Sequence, residues 1–389
     1  MNNLIIQEFT PYLFNKNIED FVLPPFDTIT YEQEQELRQK KYNIVKLTVP
    51  DKNGGITGSQ DILKKWIDDG TLLKFTTDSI IIMKQEFYNN KELIQRYGII
   101  SLVDIMEDVK THEYTFPTQV KERKDVMYNL NSEPEPIFII VPDNNFDKLI
   151  KRESADLDEK YKFYQPNGVL NTVYFLTDGD KINKIKNALK NDTGIVADGH
   201  HRMRAITELY EKTGDNFWRY AMAYTTSVYD NGLMIGGVHR LLYGLSLDPY
   251  LNKLNDSFDV TVDNNMVNQK NIYIYHNSKF YCLIPKNYIV KEKFGNKSPL
   301  STEIVNKILF EQTFSLREEE YNKKIIYIYN YTDAINAVDM HQCDFAILIP
   351  QWQKEDFLKF MVENRLMPQK STYFYPKIPS GIALYIKPL

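Results

Sequence analysis

The stretch Ile195-Val196-Ala197-Asp198-Gly199-His200-His201-Arg202 constrains this chain more than any other. A short apolar run stops at an Asp-Gly pair, and Met203, Ile206, Leu209 and Tyr210 then recur at helical spacing, which predicts a strand, a tight turn and a helix. Glycine lets backbone amides come close to a ligand, and the first helical turn has N–H groups without intrahelical partners. Two imidazoles and a guanidinium crowd the same turn. That combination suits an anion, best a phosphate. A purely structural turn with these residues would have to supply a partner for every polar group, since burying one unpaired costs about 2–7 kcal/mol.

At 389 residues the chain is expected to hold two domains. Hydrophobic residues make up 43% and charged residues 25%, which predicts packed cores and excludes a disordered chain. A net charge of −5 excludes a general attraction to nucleic acid or anionic lipid. Cys282 and Cys343 are the only cysteines and have no metal-ligand spacing, so a reducing compartment fits best. The first residues lack the pattern of a signal peptide, and no apolar run approaches the ~18 residues of a membrane span. A cytoplasmic protein is expected, with neither nucleic acid nor membrane as partner and a homodimer as one option for its oligomeric state.

Taken in order, residues 21–27 form a proline-locked segment ending in Asp27, and Thr30 with Gln33 makes a capping box before Leu37. Asp27 also suits an Asx turn. Residues 44–49 have the pattern of a strand. The glycines at 54, 55 and 58 lack the Lys-Ser/Thr successor of a phosphate loop and read as a connector. A helix begins at Ser59 and stops at Gly70, and strands over 79–88 and 97–105 read as a hairpin or neighbours. His112, Glu113 and Thr115 then fall together at a strand end, where sites are commonly built, although a solvated loop has the same composition.

Further strands are expected over 136–142, 169–176 and 220–228, with a mobile excursion over 151–168 and a lysine-rich helix over 178–190. Gly236 and Gly237 precede a second His-Arg pair, His239-Arg240. A domain boundary is placed near 245. Beyond it come a hairpin around Asn277-Ser278-Lys279, a helix over 301–314, strands over 325–329 and 343–349, and helices over 332–338 and 353–364. Residues 367–381 set Lys370, Ser371, Thr372, Lys377 and Ser380 among prolines. Such a rigid, basic, hydroxyl-rich loop can hold phosphate without a P-loop; a stiffened surface loop is the plainer alternative.

The ordered set Pro24-Pro25-Phe26-Asp27, His112-Glu113-Tyr114-Thr115, Ala197 to Arg202, Val238-His239-Arg240 and Met367 to Lys377 resembles the uncharacterised domain-of-unknown-function 1015 family. Phe26 stands where that family often has Tyr, and Ser380 where Thr is common. Asp198-Gly199-His200-His201-Arg202 also resembles the motif of the ParB/sulfiredoxin superfamily, whose Gly-x-His-Arg or Gly-x-Arg-Arg turn holds nucleotide phosphates. Its free-serine kinases carry a similar stretch and use a carboxylate to activate the substrate hydroxyl. The resemblance implies an α/β or α+β protein. A ParB/sulfiredoxin-like mixed-sheet core would lie in an elaborated N-terminal domain, 1–245, followed by a smaller α/β domain, 246–389.

Three functions are weighed. The first is a kinase transferring a phosphoryl group from ATP or ADP, with Mg²⁺, to the hydroxyl of a small metabolite, serine being the leading guess. Gly199, His200, His201 and Arg202 would then grip phosphates, with His239, Arg240, Lys370, Ser371, Thr372 and Lys377 completing the cage. Glu113 or Asp198 would take the hydroxyl proton, and Asp27, His112 and Thr115 would contact substrate. The second is a ParB-like nucleotide-binding regulator without turnover. The third and lowest is a metal-dependent hydrolase using His112, His200, His201 and Asp198, ranked last because adjacent histidines on a helix point ~100° apart. No metal ligand is assigned.

Overall fold

Two long apolar runs pair first. Ile80–Asn89 (β1) and Glu92–Asp104 (β2) form the expected hairpin, in register from Asn89–Glu92 back to Ile81–Ile100. The computed structural model describes residues 3–25, 29–49, 55–89, 91–266, 268, 270–363 and 365–388. Phe26, Asp27 and Gly54 lie outside the described residues.

Around that hairpin a mixed nine-stranded sheet assembles from Val109–Lys110 (β3), Ile137–Val141 (β4), Glu159–Tyr164 (β5), Leu170–Leu176 (β6), Gly194–Asp198 (β7) and Tyr220–Ser227 (β8), in the order β3-β7-β4-β8-β2-β1-β6-β5, with Ile6–Gln7 added against β2. β7 runs parallel to β3 and antiparallel to β4, while β8 runs parallel to β4 and antiparallel to β2. Every residue of β4 is buried, as expected of a central strand covered on both faces. Helices Pro117–Leu130 (α1), Phe146–Glu153 (α2), Gly179–Leu189 (α3) and His200–Thr213 (α4) help build the core with Val120, Phe146, Ile182, Ile185, Ile206 and Leu209. The Asp178 carboxylate caps α3 by accepting from the amides of Asp180 and Lys181.

The chain divides into one unit of Met1–Leu233 with Pro376–Leu389 and a second of Met234–Tyr375. The second is a six-stranded sheet of His239–Leu242 (β9), Phe258–Asp263 (β10), Ile272–His276 (β11), Lys279–Pro285 (β12), Ile325–Ile328 (β13) and Phe345–Leu348 (β14), in the order β10-β12-β11-β14-β9-β13. Asn277 and Ser278 both take positive φ, 48° and 58°, in the predicted hairpin. The molecule is thus a mixed α/β protein.

Three local expectations are corrected. Residues 44–49 are not a strand: Val45–Thr48 is a helical turn, started where the Asn43 side chain accepts from the Val45 amide. Val45, Leu47 and Val49 alternate with Lys46 and Thr48, a period of two that reads as a strand, and the local cap overrides it. The expected excursion over 151–168 holds the end of α2 and the edge strand β5, whose polar composition reflects one covered position, Phe163. Residues 367–381 are not wholly loop, because Tyr373–Tyr375 pairs with Met234–Gly236. β9 pairs with β13 and β14 inside the second unit, and residues after 375 return to the first, where Tyr385–Ile386 pairs with Ser132–Glu133.

That last pairing buries Glu133, whose carboxylate accepts from the Met222 amide at 2.9 Å. Burial pushes its pKa up to about 8, against the weaker opposing pull of the Met222 bond and Arg202. A carboxyl raised in the folded state contributes stability while protonated, and loses it as pH rises from the ordinary carboxylate range toward 8. Wild type should lose about 1 kcal/mol per pH unit from this group across that window. Glu133→Gln keeps the acceptor and should flatten the slope, as denaturant melts from pH 5 to 8 would measure.

Candidate functional site

β7 delivers Asp198 at its C-terminal end, and its register against β4 shifts between Val196 and Asp198, a bulge of the kind that re-aims a side chain. Gly199 follows with φ +90° and serves as N-cap of α4 without any side-chain acceptor. A Cβ there would lie 3.0 Å from Arg202 Nη2, so glycine answers both the backbone conformation and the close approach of the guanidinium. Met203, Ala205, Ile206 and Leu209 pin the helix to the core, and the strand-turn-helix stands as expected.

The turn carries a three-membered charge cluster. Lys377 Nζ donates to Asp198 Oδ1 at 2.5 Å, and Arg202 Nη2 donates to Oδ2 at 3.3 Å while its Nη1 donates to the Pro136 carbonyl at 2.7 Å. The side chains of Lys377, Arg202 and Asp198 are 10%, 12% and 17% exposed, so solvent screens these pairs little. Lys377 comes from the returning segment, held where Arg96 donates to the Pro376 carbonyl, Gln85 to the Lys377 carbonyl and Ser380 Oγ to Glu135. Burial pushes the Asp198 carboxyl upward, but Lys377 and then Arg202 outweigh it and hold its pKa at about 2. A carboxyl so held is a poor proton acceptor at neutral pH.

Beside it lies a pair of buried imidazoles. His200 Nε2 stands 3.3 Å from His112 Nδ1, with the rings edge to face, and His200 Nδ1 is 3.9 Å from Glu113 Oε2. Burial drives His200 down to about 4, only partly opposed by Asp198, and takes His112 well below its usual value, with His200 adding to the effect. Both rings are therefore neutral at pH 7. His201 points elsewhere: its Nε2 accepts from the Phe116 amide at 3.1 Å, at the start of α1. Thr115 lies half-buried in the same loop.

Six of the anticipated residues, His112, Glu113, Asp198, His200, Arg202 and Lys377, thus meet around one turn. His239, Arg240, Lys370, Ser371 and Thr372 belong to the second unit. There His239 accepts from the Ile349 amide, Arg240 donates to the carbonyls of Val238 and Lys370, and Ser371 pairs with Thr302. The sequence reading missed Glu133 and Glu135, buried carboxylates of the Glu133-Pro134-Glu135-Pro136 segment; the signal was an acidic residue at every second position before an apolar strand.

Because Asp198 is mostly covered, Lys377→Met should destabilise by about 2–3 kcal/mol through the half-balanced carboxylate it leaves behind. Adding Asp198→Asn should recover part of that loss, and a double-mutant cycle of chemical melts reads the coupling.

A family model described as "Protein of unknown function (DUF1015)" matches residues 8–309. No curated protein matches the sequence. Among solved structures, a conserved hypothetical protein from Pyrococcus furiosus is 14% identical with a TM-score of 0.41, over 74% of this chain and 95% of that one. A free serine kinase in complex with AMP is 13% identical with a TM-score of 0.41, over 73% and 92%. SbnI with a C-terminal truncation, from Staphylococcus aureus, is 11% identical with a TM-score of 0.42, over 74% and 87%. With most of its length inside the family model, the chain belongs to the DUF1015 family of proteins of unknown function.

Proposed function

We propose that the turn at 198–202 binds the phosphates of a nucleotide, ATP or ADP, and that the protein passes a phosphoryl group to the hydroxyl of a small metabolite, with serine the first candidate. One observation carries this reading: a helix N-terminus with no side-chain cap sits beside two cations, Lys377 and Arg202, that share a single carboxylate. Lys377 and Arg202 leave one positive charge in excess over Asp198, and the first amides of α4 add the positive end of the helix dipole. Phosphoryl transfer asks the protein mainly for positioning and for positive charge around the transferred oxygens.

Within this reading Asp198 sets the two cations in place. The base is then Glu113, whose carboxylate lies 3.9 Å from the neutral His200 ring, while Asp198 is held by Lys377 and Arg202. Thr115 and His112 line the substrate side, and Asp27 remains a proposed substrate contact. Mg²⁺ does not fit the residues gathered here. It prefers oxygen ligands, whereas both Asp198 oxygens are engaged and the remaining donors are one carboxylate and two imidazoles. No step is assigned to it.

Purified protein incubated with ATP or ADP and a panel of small alcohols, serine included, tests the proposal by product formation. Glu113→Gln should lower turnover about 100-fold or more while leaving the nucleotide-induced rise in melting temperature intact. A melting shift with no product from any alcohol would instead favour the nucleotide-binding regulator.

A further inference from the structure

We propose that His112, His200 and Glu113 form a site for a divalent transition-metal ion of the zinc type, with a coordination position left for a small ligand. One donor atom from each residue lies within 4.8 Å of the others, and the cluster is assembled from two elements, the loop after β3 and the first turn of α4.

The spacing of the nitrogens is the first argument. His112 Nδ1 and His200 Nε2 are 3.3 Å apart. A tetrahedral ion with bonds of about 2.0–2.1 Å holds two ligand nitrogens about 3.3–3.4 Å apart, so the rings already stand at the separation a shared ion requires. Only one hydrogen fits between them otherwise. The third donor is Glu113, which offers a carboxylate oxygen within 4.8 Å of a ring nitrogen of each histidine. Its side chain is 17% exposed, so the oxygen is reachable from solvent.

Orientation is the second argument. His112 is fully buried and hydrogen-bonds the Val196 backbone. Histidines that bind metals characteristically use their other ring nitrogen in this way, which fixes the ring and raises its basicity. The donor set is the third. Two nitrogens and one oxygen match zinc and its neighbours rather than magnesium or calcium, and three protein ligands with an open position mark a working rather than a structural site. His201, assigned to phosphate on sequence grounds, is no ligand, because its Nε2 accepts from Phe116.

The ion's role, though not the site, rests on the reading of the turn as a phosphoryl-transfer centre. An ion here would add positive charge beside the transferred group.

Full-length protein stripped with a chelator and titrated with Zn²⁺ or Co²⁺, without nucleotide, tests the site. A single ion per chain is expected, with visible absorption for Co²⁺. His200→Ala and Glu113→Gln should each weaken binding about tenfold or more, while His276→Ala leaves it unchanged. Glu113→Gln matters most, since it preserves volume at a part-exposed position and the fold with it. No saturable binding, or binding that survives both site variants, overturns the proposal. Nucleotide-induced melting shifts of the stripped protein report on the phosphate reading separately, so either idea can fail while the other stands.

Discussion

Two cations on one mostly buried carboxylate hold together parts of this chain that lie far apart in sequence. Asp198 ends a strand next to the sheet edge, Arg202 lies one helical turn beyond it, and Lys377 arrives from a segment 179 positions away. The low dielectric that makes these pairs strong also makes each member costly without the others. Hence the turn at 198–202 is over-determined: a glycine admits the guanidinium, the Pro136 carbonyl takes its second arm, and Arg96, Gln85 and Glu135 anchor the segment that brings the lysine. The three side chains are thereby held in fixed places, with one positive charge in excess among them.

The same burial sorts the site's groups by task. It disfavours the charged forms of His112 and His200, so neither ring adds charge to the turn. It would make Asp198 reluctant to ionise, and the two cations reverse that. Sequence alone leaves Asp198 and Glu113 as equal candidates for the base. The difference between them is set by what surrounds each carboxylate, and that is invisible in the order of residues.

What was legible in the sequence was local. The strand, turn and helix from 194 to 213 follow from apolar spacing and one glycine, and the hairpins at 80–104 and 272–285 from alternation and turn residues. The capping box at Thr30 and Gln33 is likewise present. What was illegible was non-local. Nothing in the spacing says that His112 meets His200 across 88 positions, or that Lys377 belongs with Asp198 while Lys370, seven residues earlier, belongs to another unit. Residues 44–49 failed for another reason: Val45, Leu47 and Val49 alternate with Lys46 and Thr48 as a strand would, but so short a run does not outweigh the Asn43 side chain that starts a helical turn.

The chain interrupts its first unit at 233 and resumes it at 376. During synthesis, therefore, the ribosome makes the whole of the second unit before it makes the lysine that balances Asp198. Until then the nascent first unit holds its carboxylate with Arg202 alone, and its edge at Ser132–Glu133 lacks the strand that pairs with it. The cluster is a late event in biogenesis, and maturation of the site is timed by translation of sequence that contributes nothing to those contacts.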